Sequence, residues 1–311
     1  MGSTVKPRLS VYWTAARPKF LTASAAPVLV GSLAGWATAG TFQWHLFVPA
    51  LLGIMALHCG ANVVNDYYDH LSGNDWINTN PTPFSGGRRF IQQGILTPRA
   101  TFWTGVAFLG IGAMLGLAIL VWTHSVFILG LGLAGLLGGF FYTAKPIQLG
   151  YRGAGELVIA VLFGLLPVYG SYALQASRID LIPLLPALIV GALVFEVILI
   201  NEFPDHQADG RVGKRTLVVW LGVPVCAWVY RAVLASSFGV AGLMLSSNVT
   251  FYPGLFYLFT LPLGVLAWHA ANPPDLATPG RWQANQWTIL LHIAGSMALA
   301  AGFAMRVFLE T

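Results

Sequence analysis

Charged residues are scarce in this sequence. They make up 9% of its 311 residues, whereas hydrophobic residues make up 56%. Soluble globular proteins carry about 25% charged residues, so the composition excludes an ordinary water-soluble protein. It also excludes a porin-like barrel, in which apolar and polar residues alternate along each strand. The only two cysteines, Cys59 and Cys226, lie in apolar runs, and no disulfide scaffold is expected.

Long apolar runs are abundant instead. A membrane helix needs about 20 such residues, and the runs predict an all-α membrane protein with nine transmembrane helices in one domain, residues 1–311. The predicted spans lie near residues 20–39, 46–65, 101–122, 125–143, 155–175, 181–201, 217–241, 251–270 and 286–308.

The basic residues fall on one side of this topology. With the N-terminus inside, only Arg178 and Arg306 lie in outer segments. The thirteen inner ones are Lys6, Arg8, Arg17, Lys19, Arg88, Arg89, Arg99, Lys145, Arg152, Arg211, Lys214, Arg215 and Arg281. This asymmetry predicts a cytoplasmic N-terminus. The net charge of +5 is thus a topology signal, and no nucleic-acid partner is expected.

Six of the eleven acidic residues lie in two short patches at the inner ends of the second and sixth spans. The patches contain Asp66, Asp69 and Asp75, and Glu202, Asp205 and Asp209. Both begin with the pattern Asn-acid-x-x-Asp, at residues 65–69 and 201–205. The equivalent placement predicts a pseudo-repeat of two four-helix halves plus a ninth helix, with a site where the halves meet.

The spacing within each patch stacks oxygen ligands on one helix face. Residues four apart share a face, so Asn65 stacks on Asp69. Asn201 likewise stacks on Asp205 and Asp209. Clustered carboxylates repel one another unless a cation lies between them. Oxygen-only ligands favour Mg²⁺, which commonly completes its coordination with substrate phosphates. The alternative is that these carboxylates are solvated helix ends that fix loops.

Basic residues accompany both patches in the same inner loops. They are Arg88, Arg89 and Arg99 after the first patch, and Arg211, Lys214 and Arg215 after the second. Such groups bind phosphate oxygens, and together with the acidic patches they indicate a polyphosphate substrate. Anchoring to lipid headgroups is the alternative for each of them.

The two motifs at this topology resemble the UbiA superfamily of intramembrane aromatic prenyltransferases over most of the chain. Further stretches are similar to the superfamily's 1,4-dihydroxy-2-naphthoate branch, namely residues 15–19, 26–31, 86–94, 151–157 and 213–217. The chain departs from the 4-hydroxybenzoate branch at Gly73, where that branch has an acid. Asp75 would then supply the third carboxylate of the first patch.

This resemblance implies roles for particular residues. The catalytic residues would be Asp66, Asp69, Asp205 and Asp209, which with Asn65 and Asn201 would hold Mg²⁺. The substrate-binding residues would be Asn62, Asn65, Asn201, Arg88, Lys145, Arg152, Lys214 and Tyr142. The catalytic inner segments would be residues 65–99 and 201–216.

The resemblance also implies a reaction. A polyprenyl diphosphate would ionise with the help of Mg²⁺, and an aromatic acceptor, 1,4-dihydroxy-2-naphthoate, would be prenylated with loss of CO₂ to give demethylmenaquinone. The protein would sit in the bilayer of a bacterial inner membrane, with its active-site loops in the cytoplasm. The alternatives are 4-hydroxybenzoate or a tetrapyrrole as acceptor, or an ion-coupled transporter.

Two charged residues, Glu196 and Arg231, lie inside predicted spans. An unpaired charge within a membrane is costly, so a buried ion pair between them is one prediction. The other is that Glu196 lines the acceptor pocket.

Overall fold

The computed structural model describes residues 8–80, 82–85 and 87–310. Lys6, counted among the inner basic residues, and Gly86, in a family-like stretch, lie outside these ranges. Within them the secondary structure is helical apart from one parallel β-bridge between Arg152 and Arg215. The prediction of an all-α protein is confirmed.

Fifteen α-helices make up the described part of the chain. They are α1 Leu9–Ala15, α2 Thr22–Ala39, α3 Trp44–Ser72, α4 Asn74–Ile77, α5 Pro98–Thr123, α6 Val126–Phe141, α7 Gly155–Ile159, α8 Leu166–Ala176, α9 Leu184–Arg211, α10 Leu217–Leu221, α11 Val223–Met244, α12 Phe251–Leu258, α13 Leu261–Ala270, α14 Pro273–Leu276 and α15 Gln283–Glu310. A π-helical segment, residues 160–165, joins α7 and α8 into one continuous span.

The described residues contain seven or eight candidate membrane spans, not the predicted nine. Seven continuous segments are long and apolar enough, and α12 with α13, bent by 48° at their junction, can form an eighth. The predicted span at 125–143 forms α6, which has only 16 residues. At 1.5 Å per residue a helix of this length reaches about 24 Å, less than the bilayer core of about 30 Å.

The helices that carry the acidic motifs are longer than predicted. α3 continues to Ser72 and α9 to Arg211, past the predicted span ends at 65 and 201. Both motifs therefore lie on the last helical turns. The end of an apolar run marks where contact with hydrocarbon ends. The helix itself continues through backbone hydrogen bonds until a residue terminates it. For α3 that residue is Gly73, whose φ of 82° is left-handed.

The core is centred on α9, which packs against α11, α15 and the α7–α8 span. Its side chains Leu193, Leu199 and Phe203 are fully buried. The close packing of α2 on α8 requires Gly31, because a Cβ there would lie 2.2 Å from the carbonyl oxygen of Val168. Small residues at such crossings are typical of membrane helices.

The outer face of α5 is apolar and exposed. Met114, Leu117 and Val121 project from it, with Trp103 and Trp122 near its two ends. Exposed apolar side chains flanked by tryptophans are typical of a helix in contact with lipid. With the apolar spans, this face identifies an integral membrane protein.

The structure contradicts both predictions for Glu196. Glu196 is fully buried, and among the described residues neither of its carboxylate oxygens has a hydrogen-bonding partner. Arg231 instead lies over the rings of Trp228 and Trp268, at 5.1 and 5.6 Å from their centroids, and its Nε donates to the Trp268 carbonyl at 3.4 Å. Ring faces and a carbonyl satisfy the guanidinium, so the predicted ion pair is wrong. The alternative prediction, that Glu196 lines the acceptor pocket, is not supported either, because Glu196 lines neither of the two cavities described below.

Candidate active site

A cavity of about 210 Å³, with many charged and amide side chains in its wall, lies at the C-terminal ends of α3 and α9. The end of α3, the short helix α4 and the segment after it form one side, and the last turns of α9 form the other. Its wall includes Asn62, Asn65, Asp69, Asn74, Asp75, Asn78, Ser85, Tyr142, Asn201, Glu202, Asp205, Asp209 and Lys214. The two acidic patches predicted from the sequence therefore face one space.

Arg17 enters this cavity from the N-terminal segment and forms an ion pair with Asp66 of α3. Arg17 precedes Pro18 and has a left-handed backbone, with φ of 57°, a conformation that is rare for residues other than glycine. Burial lowers the pKa of Arg17, but the charge and hydrogen bond of Asp66 outweigh it, and the net pKa is raised. Asp66 itself is buried behind Arg17 and does not line the cavity.

Asp69 projects into the cavity one turn further along α3. The side-chain amide of Asn65 donates to it, as the four-residue spacing predicts. The hydroxyl of Tyr151 also donates to it, at 3.5 Å. Burial, and then the negative charge of Asp69, raise the pKa of Tyr151 to about 12. Tyr151 therefore stays protonated near neutral pH and acts as a hydrogen-bond donor.

Asp75 lies on α4 and completes the first patch. Gln92 donates to its carboxylate at 3.1 Å. Burial, and then the charges of Asp69 and Asp66, raise the pKa of Asp75 to about 8. Gly87, with a left-handed φ of 66°, leaves room beside these acids, because a Cβ on it would lie 3.2 Å from an oxygen of Asp66 and 3.2 Å from one of Asp75.

The acids of α9 are held by side-chain amides from the opposite side of the cavity. Asn78 donates to Asp205 at 2.8 Å and Asn74 donates to Asp209 at 2.7 Å. Ser85 adds a bond to Asp205 at 3.2 Å. The segment after α3 therefore connects the two acidic patches directly.

Lys214 brings a positive charge to the second patch. Its ammonium lies 3.4 Å from Asp209 and its side chain is 14% exposed. Burial lowers the pKa of Lys214, but Asp209 and Asp69 more than compensate, and the net pKa lies well above the ordinary value. Glu156 fixes the chain just beyond by accepting from the backbone N–H of Leu217 at 2.7 Å. Lys214 thus stays charged at the cavity wall.

Three predicted phosphate-binding residues do not line the cavity. Lys145 and Arg152 are exposed, and the Arg152 guanidinium donates to the carbonyls of Ile147 at 2.5 Å and Pro146 at 3.4 Å. Arg88 is half-buried beside Gly87 and is absent from the wall as well. The structure therefore does not bring Lys145 and Arg152 to the cavity, and the Arg152 guanidinium instead bonds to carbonyls of its own loop.

Several residues that the structure brings to the site were not predicted from the sequence. Arg17 was counted as an inner basic residue and as part of the family-like stretch 15–19, but no role in the site was predicted for it. Asn74, Asn78 and Ser85 lie in a polar stretch whose composition resembles that of any loop, and nothing in the sequence marks them. Glu202 lines the cavity with one carboxylate oxygen buried and, among the described residues, unpaired.

The donor set fits a hard divalent cation. Among the described residues no three His, Cys, Asp or Glu side chains stand close enough to share an ion, since Arg17, Lys214 and the amides lie between the acids. The acids and amides that face the cavity offer oxygen ligands, and a buried oxygen of Asp209 has no partner in the described part of the chain. Mg²⁺ needs only one or two protein carboxylates when phosphates complete its coordination, so it fits this arrangement.

A second, apolar cavity of about 380 Å³ adjoins the first, further into the membrane region. Residues of α3, α5, α6, α8 and the π-helical segment line it, among them Leu57, Leu120, Leu136 and Leu166. Four residues line both cavities, and we call them the neck: His58, Ala61, Gly139 and Phe163. The charged cavity and the apolar cavity are therefore immediate neighbours, with the neck residues between them.

Solved structures share this fold. A UbiA homolog from Archaeoglobus fulgidus bound to DMAPP and Mg²⁺ superposes with a TM-score of 0.71 at 16% identity, covering 94% of this chain and 98% of that one. A UbiA homolog from Aeropyrum pernix K1, in its apo form, superposes with a TM-score of 0.65 at 14% identity, over 92% and 98% of the two chains. The fold is that of the UbiA class of helical membrane proteins.

The sequence match is more specific than the fold. Residues 24–289 match the UbiA prenyltransferase family, and the chain belongs to that family. The 1,4-dihydroxy-2-naphthoate octaprenyltransferase of Haemophilus influenzae is 31% identical over 96% of this chain and 98% of its own length. The enzymes of the same name from Mycobacterium tuberculosis and Escherichia coli are 32% and 33% identical, over 86% and 73% of each chain. The predicted family and prenyltransferase activity are confirmed, and the transporter alternative has no support.

Proposed function

We propose that this protein transfers a polyprenyl group from an allylic prenyl diphosphate to 1,4-dihydroxy-2-naphthoate, with loss of CO₂. The observation that carries the proposal is that a charged cavity and an apolar cavity adjoin and share four wall residues, because a prenyl diphosphate has one charged and one apolar end. The relatives named above favour the naphthoate over 4-hydroxybenzoate or a tetrapyrrole as acceptor.

The charged cavity is proposed to bind the diphosphate. The residues of the cavity wall assigned to Mg²⁺ are Asn65, Asp69, Asn201, Asp205 and Asp209. Asp66, which the resemblance implies as a further ligand, is paired with Arg17 and does not line the wall. When bound, Mg²⁺ neutralises the negative charge that develops on the departing diphosphate. Support comes from the oxygen-only donor set and from the A. fulgidus homolog, which is described with DMAPP and Mg²⁺.

The chain's own cations share this task. Lys214 lines the wall and stays charged, so it is assigned to an outer phosphate oxygen. Asn62 and Tyr142 also line the wall and are assigned to substrate contacts. Arg88, which follows Gly87 of the cavity wall, is also assigned to an outer phosphate oxygen. Arg17 holds Asp66 in place, and its charge adds to the positive potential facing the phosphates.

The apolar cavity is proposed to hold the prenyl chain near its reactive end. Its leucine-rich wall excludes water, which would otherwise capture the allylic carbocation. The charge separation occurs where the protein has fixed dipoles and ions in place of solvent. These features are consistent with a reaction that takes place inside the bilayer, where both the prenyl chain and the product are soluble.

The wider topology is part of the same proposal. We assign the chain to one catalytic domain, residues 1–311, with inner segments 65–99 and 201–216 on the cytoplasmic side of a bacterial inner membrane. We propose that α6 is a short additional membrane span, which gives the predicted total of nine spans. The bonds from Asn74 and Asn78 to the acids of α9 support a pseudo-repeat whose halves meet at the active site.

The experiment is prenylation by purified protein in detergent with Mg²⁺. Geranylgeranyl and longer diphosphates are offered with 1,4-dihydroxy-2-naphthoate and 4-hydroxybenzoate in parallel, and the products are identified by mass. The variant is Asp69→Asn, and the matched control is Asp275→Asn, which removes a carboxylate from an exposed ion pair with Arg281. Thermal unfolding of each variant checks that it is folded.

We expect the naphthoate to give the prenylated hydroquinone, demethylmenaquinol, which oxygen in air oxidises to demethylmenaquinone during work-up. Its formation is retained in Asp275→Asn and reduced roughly a hundredfold or more in Asp69→Asn. Product from 4-hydroxybenzoate alone would keep the reaction type and overturn the acceptor. No product from any pair of substrates would overturn the proposed function.

A further inference from the structure

The neck between the two cavities contains only one side chain with a polar atom, His58. The other neck residues, Ala61, Gly139 and Phe163, offer no hydrogen-bonding side chain. His58 lies two turns further into the membrane region than Asn65, so it is separated from the carboxylates of the charged cavity. A polar group at this point is costly unless it has a partner.

The imidazole of His58 is held in one orientation. Its Nδ1 lies 2.6 Å from the hydroxyl oxygen of Ser24 on α2, and Ser24 is fully buried. The ring of Phe163 packs against it edge-on, at 4.7 Å between centroids and 72° between planes. Its Nε2 has no hydrogen-bonding partner in the described ranges. One nitrogen is therefore fixed by the protein, and the other is left for a ligand.

If the proposed function is correct, the position of the neck determines which part of the substrates lies beside His58. With the diphosphate in the charged cavity and the prenyl chain in the apolar one, carbon C1 of the donor lies at the neck. The acceptor ring has to approach C1 to react. The ring therefore comes within reach of His58, which no role given above uses.

We propose that Nε2 of His58 hydrogen-bonds a ring hydroxyl of the aromatic acceptor and so positions the ring against C1. In the tautomer whose Nδ1–H donates to Ser24, Nε2 accepts the hydroxyl proton; in the other tautomer Nε2–H donates to the hydroxyl oxygen, so a ring hydroxyl pairs with either form. A wall that is otherwise apolar makes this contact selective for hydroxylated rings, because a ring without the hydroxyl leaves Nε2 unpaired.

The prenyl transfer does not require His58 to remove a proton from the acceptor. The C1–O bond breaks and its electron pair departs with the diphosphate. A π pair of the ring forms the new bond to C1 from the ring carbon that bears the carboxylate. That carboxylate then leaves as CO₂, and its bonding pair restores the aromatic ring. His58 is accordingly a positioning residue that touches the acceptor, and not an obligatory base.

The test compares His58→Ala and His58→Gln with wild type. Steady-state constants are measured separately for the prenyl diphosphate and for 1,4-dihydroxy-2-naphthoate. The monohydroxy analogues 1-hydroxy-2-naphthoate and 4-hydroxy-2-naphthoate are used as competitive inhibitors against the acceptor. The matched control is His292→Gln, since His292 is a buried histidine on α15 that lines neither cavity.

We expect His58→Ala to lower kcat/KM for the acceptor about tenfold, the worth of one hydrogen bond, with the KM for prenyl diphosphate changed less than about twofold. His58→Gln, whose amide can reach the position of Nε2, recovers part of the loss. One monohydroxy analogue weakens about tenfold in His58→Ala, whereas the analogue without the contacted hydroxyl does not change.

Four results would overturn the proposal. Acceptor kinetics unchanged in His58→Ala would show that no contact exists. Equal weakening of both analogues, or a comparable loss in His292→Gln, would show a general effect on packing. If wild type makes no product, the proposed function fails and this inference fails with it, whereas an active wild type with an unaffected His58→Ala rejects the His58 contact alone.

Discussion

Replacing Arg17 with methionine would leave Asp66 as a buried carboxylate without its guanidinium. The two side chains are only 16% and 9% exposed. Two unit charges about 4 Å apart attract by about 4 kcal/mol at an effective dielectric constant of 20. Removing one partner of a buried pair costs about 3–5 kcal/mol. We therefore expect Arg17→Met to lower the free energy of unfolding by that amount.

The assay is reversible unfolding in mixed dodecylmaltoside and SDS micelles. The control is Arg281→Met, which breaks an ion pair whose side chains are 63% and 34% exposed and should cost about 1 kcal/mol or less. The double variant Arg17→Met/Asp66→Asn removes the stranded charge and should recover at least about 1 kcal/mol. Equal losses in Arg17→Met and Arg281→Met would refute the claim that a buried ion pair fastens the N-terminal segment to α3.

Three further predictions address the cavity and the packing. Lys214→Gln should lower kcat/KM for prenyl diphosphate by roughly a hundredfold. The control Lys145→Gln, on the exposed loop, should change it less than about twofold. Comparable losses in the two variants would contradict the placement of the two lysines. Gly31→Ala should destabilise the protein by about 2 kcal/mol or more in thermal unfolding, because the added Cβ would meet a backbone oxygen of α8 at 2.2 Å. The control Gly110→Ala, whose Cβ would have no atom within 4 Å, should be neutral or stabilise the protein by up to about 1 kcal/mol. Glu196→Met should raise the unfolding free energy by about 1–3 kcal/mol, because it removes two buried oxygens that have no partner, and a loss of stability would show that this carboxyl has a compensating contact.

The sequence contained enough information for the family and for the acidic half of the site. The two Asn-acid-x-x-Asp motifs are local patterns on helices, and helical spacing alone places Asn65 against Asp69. The family match, over residues 24–289, bears out the resemblance read from those motifs. The convergence of both patches on one cavity followed from the pseudo-repeat argument.

The remainder depends on contacts between residues distant in the chain. No local pattern indicates that Asn74 and Asn78 would reach α9, or that Arg17 would reach Asp66. Lys145 and Arg152 were assigned by sequence resemblance, which carries residue type and order but not how a loop closes on its own carbonyls. The ion pair predicted for Glu196 assumed that opposite charges in a membrane must meet, whereas aromatic faces satisfy the arginine instead.

The paired bonds from Asn74 to Asp209 and from Asn78 to Asp205 also have a mechanical consequence. Donors and acceptors are each spaced by four residues, about 6 Å along a helix, and they run in opposite chain directions. A slide of α9 by one turn would set Asn74 opposite Asp205 and leave Asn78 opposite Asn201, so both bonds would have to change together. The two bonds together therefore oppose an axial slide of α9 and fix its register against the segment that follows α3.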